Sequence, residues 1–185
     1  MKKRNFVVVT YLCLTILAAV SFAASNPKIT GDADWVNSPT SYNQQANTIF
    51  HAIATTRTGL GAKGSLLYSD PEITYTMDVQ FLRISGNTAW FAGQVTSASD
   101  PGVGGCCKVG NWIFWKVEDN GEPGVGNDKI WGEDLTVSEG ITDSIAAALK
   151  VASMATPESD PFTINGGNIQ VHQNNRPVGR RRPCE

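Results

Sequence analysis

The chain has 185 residues, of which 15 are basic and 17 acidic, and hydrophobic residues make up 41% of it against 17% charged ones. A disordered chain is poor in large apolar residues and rich in charge, so this composition excludes disorder of the whole chain. The length fits one domain, and the 18 Gly, 9 Pro and 5 Trp favour a turn-rich β structure.

Residues 1–23 have the three parts of a secretory signal peptide. A basic start is followed by an apolar run from Phe6 to Phe22 and by small residues around Ala23. The run is shorter than the about 20 apolar residues that a membrane span needs, although an uncleaved anchor is an alternative. The sequence predicts cleavage after Ala23, a secreted protein (extracellular or periplasmic), and no stable membrane span after cleavage.

The charge that remains after cleavage is acidic and unevenly distributed. Residues 24–173 contain 8 basic and 16 acidic residues, whereas 4 arginines lie within the last ten residues. A nucleic-acid-binding body needs a basic surface, so this distribution argues against nucleic acid as a partner. Residues 174–185 are polar and basic and are predicted to form a flexible tail.

Most of the chain has the period-two alternation of β-strands. Residues 24–46 lack it and are predicted to form an extended N-terminal segment that Trp35 fastens to the body. Residues 47–173 are predicted to form one β domain. Its six or seven strands are placed at residues 47–57, 62–69, 73–81, 89–96, 112–118, 129–132 and 167–173.

The strand at residues 73–81 has the clearest pattern. Tyr75, Met77 and Val79 fall on one face, with polar residues between them. Leu82 and Ile84 break the alternation, which predicts either a β-bulge or a strand that passes from one packing environment to another. Turn residues at 85–87 then indicate a β-hairpin with the next strand.

One segment has helical spacing instead. Residues 138–153 are predicted to form a helix with Ser138 as its N-cap, and this helix covers an edge or an end of the sheet. Short strands with turn-rich connections predict an all-β fold, either a β-sandwich or a partly open β-barrel, with one accessory helix near the C-terminal end. The apolar stripe of the helix consists of Ile141, Ile145, Ala148, Leu149 and Ala152.

Three stretches together carry a resemblance to a known family. They are FLRISGNTAWFAGQVTS at 81–97, KVEDNGEPGVGNDKI at 116–130 and GGNIQVH at 166–172. In this order they resemble uncharacterised secreted bacterial β-domain proteins with an SGN.A hairpin, a V.DNGEPG loop and a C-terminal GNIQVH strand. The resemblance implies a small all-β secreted domain, and it implies no reaction or catalytic residue. The Cys106-Cys107 pair and the helical segment depart from the family pattern.

Loss of the signal peptide leaves three cysteines, Cys106, Cys107 and Cys184. Adjacent residues hold their α-carbons no more than about 3.8 Å apart, below the usual disulfide minimum of about 4.4 Å, so a bridge between Cys106 and Cys107 is strained. A bridge from Cys184 to one of them is the preferred prediction. A free Cys184 in the tail is the equal alternative.

The loop at 118–128 is the densest polar feature. Asp119, Glu122 and Asp128 supply the oxygen ligands that Ca²⁺ prefers, and they are the candidate metal site of the chain. The EF-hand spacing is missing, however. The other interpretation is a hairpin connection in which Gly121 and later glycines adopt positive φ.

His51 and His172 are the only histidines. His51 shares a strand face with Ile49 and Ile53, which predicts a buried structural side chain. His172 falls on a polar face. Neither lies in a nucleophile or metal motif, so a small secreted hydrolase is kept only as the second alternative function.

Trp90 is the one tryptophan predicted to lie on a polar strand face. Together with Gln94 on the same face, it offers a platform for a sugar ring or a partner protein; burial under the helix is the alternative. The sequence thus predicts a secreted non-enzymatic module for surface or matrix-associated binding, with a glycan or a cell-surface protein as partner. A carbohydrate-binding module using Trp90 is the first alternative. No cofactor is predicted apart from the Ca²⁺ considered above.

Overall fold

The computed structural model describes residues 25–37, 44–57, 59–99, 106–157 and 160–173. The predicted signal peptide, the basic tail and Cys184 lie outside these residues. Among the helices of the described segments, none is both long enough and apolar enough to cross a membrane.

Nine antiparallel strands form a single sheet, in the order β8-β7-β6-β5-β4-β3-β2-β1-β9. Consecutive strands from β1 to β8 pair with each other as a meander, and β9 pairs with β1. The strands are β1 Lys28–Asn37, β2 Gln44–Ala54, β3 Gly61–Ser69, β4 Thr74–Ser85, β5 Thr88–Ala98, β6 Trp112–Glu118, β7 Lys129–Asp134, β8 Phe162–Thr163 and β9 Gly166–His172. Two helices, α1 Leu135–Ser138 and α2 Ser144–Ser153, lie between β7 and β8.

The two edges of the sheet are close together. Strands β8 and β9 lie at opposite ends of the strand order, yet only Ile164 and Asn165 separate them in the chain. The backbone N–H of Asn165 donates to the carbonyl of Asp34 in β1, 2.8 Å away, and Ile164 exchanges backbone hydrogen bonds with the β6–β7 loop. The sheet therefore curls into a half-barrel. This confirms the all-β prediction, and it matches the partly open barrel because a sandwich requires two sheets.

Apolar side chains pack on both faces of the sheet. The larger cluster fills the concave side and includes Leu66, Met77 and Phe91. A second cluster lies on the convex side, where Trp112 and other large side chains meet α2. Strand β6 is buried on both faces, as its continuous apolar sequence predicts.

The predicted bulge is confirmed. The register between β4 and β5 shifts between Val79 and Phe81. Beyond this shift Leu82 belongs to the concave cluster, whereas Phe81 packs against the convex one. One extra residue therefore reverses which side chains of β4 face inward.

The helix prediction needs two corrections. Residue 138 ends α1, and the N-cap of α2 is Asp143, whose carboxylate accepts from the N–H groups of two residues in the first turn. The predicted apolar stripe is also wrong in part, since Ile145 and Leu149 are 73% and 64% exposed, whereas Ile141 does pack against the convex cluster. Ala147 and Val151 are buried instead. Their small side chains fit against the flat aromatic surface of the convex cluster.

The N-terminal part of the chain contains more regular structure than the sequence predicts. Residues 28–37 form a full strand between β2 and β9, because Ile29, Ala33 and Trp35 alternate into the core. Gly31 belongs to the same row, and the ring of Phe50 occupies the space that a side chain would take there. With β8, which has only two residues, the strand count in the described residues rises from the predicted six or seven to nine.

Candidate functional site

The loop between β6 and β7 packs against the outer edge of β9. Asp128 is fully buried, and its two carboxylate oxygens accept from the N–H groups of Asn120 at 2.8 Å and Ile169 at 2.9 Å. Asp119 accepts from the N–H of Val171 at 3.0 Å, and Glu122 accepts from the Asn168 side chain. The two aspartates thus satisfy alternate N–H groups of β9, in place of the carbonyls of a tenth strand.

These contacts bear on the predicted calcium ligands. Each of Asp119, Glu122 and Asp128 already accepts a hydrogen bond from the protein. Burial raises the pKa of Asp128, while its two backbone N–H partners oppose that rise. Calcium binding by the loop stays a prediction. Melting with and without a chelator tests it: a lower melting temperature in chelator would support calcium, whereas an unchanged one would show that these hydrogen bonds hold the loop by themselves.

The hairpin interpretation of this loop agrees with its backbone. Strands β6 and β7 are antiparallel neighbours, and Gly121 and Gly126 have φ of 97° and 81°. A side chain at either position is strained in this left-handed region.

Trp90 does not form an exposed platform. Only 9% of it is exposed, because the convex cluster beneath α2 surrounds it, and its indole N–H donates to the carbonyl of Ala155 at 3.0 Å. The Gln94 side chain donates to the carbonyl of Gly110. Trp90 is therefore not available as a stacking surface, and the alternative in which the helix covers it describes the structure.

The histidines are both exposed, so the prediction of a buried His51 is wrong. The outer face of β2 places His51 beside exposed Ile49 and Ile53, and its Nδ1 lies 3.4 Å from the hydroxyl of Ser65. No carboxylate of the described residues hydrogen-bonds either imidazole. Serine hydrolysis needs such a third group to orient the base, so the geometry gives the hydrolase alternative little support.

A cavity of about 360 Å³ lies at the end of the half-barrel where β1 and β3 finish and β4 and β6 begin. It falls within the range of about 300–1,000 Å³ typical of small-molecule sites, which are lined mainly by apolar and aromatic groups. Five aromatic side chains line it: Trp35, Tyr68, Tyr75, Trp115 and Phe162.

The aromatic rings of the cavity pack against one another. Tyr68 stacks on Tyr75 with centroids 5.0 Å apart, and it also contacts Trp35 and Trp115. Trp35 packs on Phe162 at 4.3 Å. These mutual contacts hold the rings in fixed orientations, so the lining is formed before any ligand arrives.

The charged groups at the cavity are all acidic among the described lining residues. Asp70 accepts a 2.7 Å hydrogen bond from the Tyr68 hydroxyl, and burial raises the pKa of Tyr68 so that it stays a donor. Asp134 lies at the end of β7 and accepts from the Cys107 N–H and from the Asn111 side chain. The cavity therefore combines aromatic faces with negative charge.

Trp115 is a buried residue of the cavity lining. The residue is 2% exposed, and its indole Nε1 has no hydrogen-bond partner in the described structure. The Tyr75 hydroxyl lies close to this indole, and burial raises the pKa of Tyr75. A buried donor without a partner costs free energy, so an acceptor that comes within reach of the Trp115 N–H is stabilising.

Comparisons with known proteins give no family. No family model matches the chain, and neither a curated protein nor a solved structure matches it. The resemblance to secreted bacterial β-domain proteins stays a prediction, and the functional argument depends on the geometry alone.

Two cysteines form one wall of the cavity. The Sγ atoms of Cys106 and Cys107 are 2.7 Å apart, and with Asp134 they are the one group of potential metal ligands within the described residues. Two thiolates on a tetrahedral Zn²⁺ are about 3.8 Å apart, given Zn–S bonds of about 2.3 Å. Asp134 already accepts from four donors. The pair is thus too close, and the carboxylate too occupied, for a zinc site in this conformation.

Proposed function

We propose that this chain is a non-enzymatic binding module, and that its binding site is the aromatic cavity between Trp35, Tyr68, Tyr75, Trp115 and Phe162. The observation that carries the proposal is a cavity of ligand size that is lined by five mutually packed aromatic side chains and by acidic groups. Such a site is the default binding hypothesis for a fold of this kind. We keep the sequence-based expectation that this binding takes place at a surface or in a matrix.

The ligand we propose is a small organic cation that also carries an oxygen. Aromatic faces attract cations through the quadrupole of the ring, and the described lining adds Asp70 and Asp134 with no basic side chain. The oxygen would accept from the Trp115 indole, which has to turn its buried N–H toward the cavity to make this contact. Choline has both features and is much smaller than the cavity, which makes it a suitable probe of this ligand class.

The first test compares choline with its neutral isostere 3,3-dimethylbutan-1-ol by isothermal titration calorimetry. We expect choline to bind at least about tenfold more tightly, corresponding to about 1.4 kcal/mol, because only the cation interacts with the ring faces and the carboxylates. Equal affinities, or no binding of either compound at about 10 mM, would contradict the proposal. If a monosaccharide binds and neither choline nor its isostere does, the carbohydrate-binding alternative is favoured, with the cavity and not Trp90 as its site.

Trp115→Phe tests the indole donor. This change keeps a ring in the cavity and removes the N–H, so choline affinity is expected to fall about fivefold to tenfold. The affinity of tetramethylammonium, which has no oxygen, should stay unchanged.

Trp131→Phe is the matched control. Trp131 is also buried and also has an unpartnered Nε1, but it lies outside the cavity, where Lys116 packs over its ring. The Trp131→Phe substitution should leave the affinities for choline and for tetramethylammonium unchanged. An equal effect of the two substitutions would mean that loss of stability, and not loss of a ligand contact, weakens binding.

Asp70→Asn tests the charge. The amide can keep the local hydrogen bonds, because its oxygen accepts from the N–H groups of Glu72 and Ile73 and its nitrogen can donate to the Tyr68 hydroxyl. Choline affinity is expected to fall about threefold to tenfold with loss of the negative charge, while the neutral isostere is unaffected. A parallel loss for both compounds would show that the substitution deforms the cavity.

A further inference from the structure

The conformation of the Cys106-Cys107 pair brings two adjacent sulfur atoms onto the same side of the backbone. Their separation of 2.7 Å compares with about 2.0 Å in a disulfide, and both are free thiols here. Cys107 has a φ of 61°, a left-handed conformation that a residue other than glycine rarely adopts. Such outliers persist where the surrounding structure holds them.

A carboxylate holds the pair in this conformation. The N–H of Cys107 donates to Asp134 at 2.6 Å, and the side chain of Asn111 donates to the same oxygen at 2.8 Å. The other oxygen of Asp134 caps α1 through the N–H groups of Thr136 and Val137. Cys107 and Asn111 are thus anchored to the end of β7.

The two sulfurs differ in their surroundings. Cys106 is half-buried, whereas Cys107 is buried against the aromatic cluster. The hydrogen bond from Cys107 lowers the pKa of the Cys106 thiol, and the same contact together with burial raises the pKa of Cys107. Cys106 therefore has the greater access and the greater thiolate character, which are the properties of an attacking thiol.

We propose that Cys106 and Cys107 form a reversible thiol–disulfide pair, with Cys106 as the attacking thiol and Cys107 as the resolving one. The co-reactant is a small-molecule disulfide such as oxidised glutathione. The Cys106 thiolate attacks one sulfur of this disulfide, which forms a mixed disulfide and releases one thiolate. Cys107 then loses its proton to solvent and attacks the Cys106 sulfur, which forms the Cys106–Cys107 bond and releases the second thiolate.

The two steps together balance in electrons and protons. The protein gives up two electrons and two protons, and one glutathione disulfide becomes two glutathione thiols. The reverse reaction is favourable in excess reduced glutathione, because a disulfide between adjacent residues is strained and hence easily reduced. The pair is for that reason suited to reversible oxidation and reduction and not to a permanent disulfide. This proposal differs from the sequence-based prediction, which preferred a disulfide to Cys184.

The experiment uses the full chain with Cys13→Ser and Cys184→Ser, so that Cys106 and Cys107 are the only cysteines. After equilibration with oxidised glutathione, alkylation and mass spectrometry should find no free thiol, no glutathione adduct and a chain lighter by two hydrogen atoms. Reduced glutathione should restore two alkylated cysteines, and the reduced form should bind one equivalent of phenylarsine oxide. Two free thiols that persist in oxidised glutathione, a stable glutathione adduct, or a disulfide-linked dimer would each overturn the proposal.

Single replacements in the same background assign the two roles. Cys107→Ser should stop at the mixed disulfide on Cys106, because the resolving thiol is gone. Cys106→Ser should react with oxidised glutathione at least about tenfold more slowly, since the remaining thiol is buried and protonated. Equal rates in the two variants would contradict the assignment. Peptide mapping of the oxidised parent chain reports the bond directly if a variant does not fold.

Discussion

Replacing Gly167 with alanine is expected to lower the free energy of unfolding by more than about 3 kcal/mol. Gly167 has a φ of 79°, which costs about 1 kcal/mol for an alanine. A Cβ atom there would also collide with the backbone carbonyl of Asp32 in β1. Strand β9 would have to move away from β1, and this strand closes the half-barrel.

Gly86→Ala is the matched control for this prediction. Gly86 also has a positive φ, of 61°, but no atom lies within 4 Å of the position its Cβ would take. We expect a loss of only about 1 kcal/mol there. Urea unfolding of both variants gives the two values. Similar losses would mean that the contact between β9 and β1 is looser than described.

Asp128→Asn is expected to destabilise the chain by about 2–3 kcal/mol. Both carboxylate oxygens of Asp128 accept backbone N–H groups, and the residue is fully buried. The amide offers one acceptor and turns its NH₂ group toward the other N–H. A buried donor left without a partner accounts for a loss of this size.

Asp119→Asn provides the comparison, because Asp119 makes the same kind of contact, to the N–H of Val171, at a half-buried position. Water can replace the lost acceptor there, so a smaller loss of about 1 kcal/mol is expected. Hydrogen exchange should show the same order. The amide of Ile169 is expected to lose more protection in the Asp128→Asn variant than the amide of Val171 loses in the Asp119→Asn variant. A stable Asp128→Asn variant with unchanged exchange would show that the loop does not hold β9.

The sequence predicted the middle of the sheet well, because period-two alternation reports burial on one face directly. It predicted the bulge in β4 for the same reason, since Leu82 changes phase. In β1 the inward row is interrupted by Gly31, and glycine and aspartate are residues that strands usually contain rarely. Strand β8 has only two residues and is too short to show a pattern.

The helix start was misplaced because Ser138 is of a residue type that favours N-cap positions. In the structure Ser138 is the last residue of α1, and Asp143, of an equally suitable type, caps α2. Periodicity alone also ranks Ile145 above Ala147 as a core residue. The flat aromatic surface beneath α2 reverses this order, since a close approach requires a small side chain.

The cavity was not predicted, because its rings come from strands that are far apart in the sequence. Trp35 lies in β1, Tyr68 in β3 and Trp115 in β6. One signal was present: Trp35 and Tyr68 are inward-facing aromatic residues near the ends of their strands, and Trp115 faces inward from the middle of β6. Several such residues at the same end of a curled sheet indicate a lined cavity, but the register that brings them together is set by tertiary pairing.

The indole region of a ¹H–¹⁵N correlation spectrum tests the central proposal most directly. Trp112, Trp115 and Trp131 all have buried, unpartnered N–H groups, so each reports on its own surroundings. On addition of choline, the resonance that disappears in the Trp115→Phe variant is expected to shift in a saturable manner, while that of Trp131 stays in place. Indole resonances that all remain unchanged, or a Trp131 shift equal to that of Trp115, would contradict a cation site in the aromatic cavity.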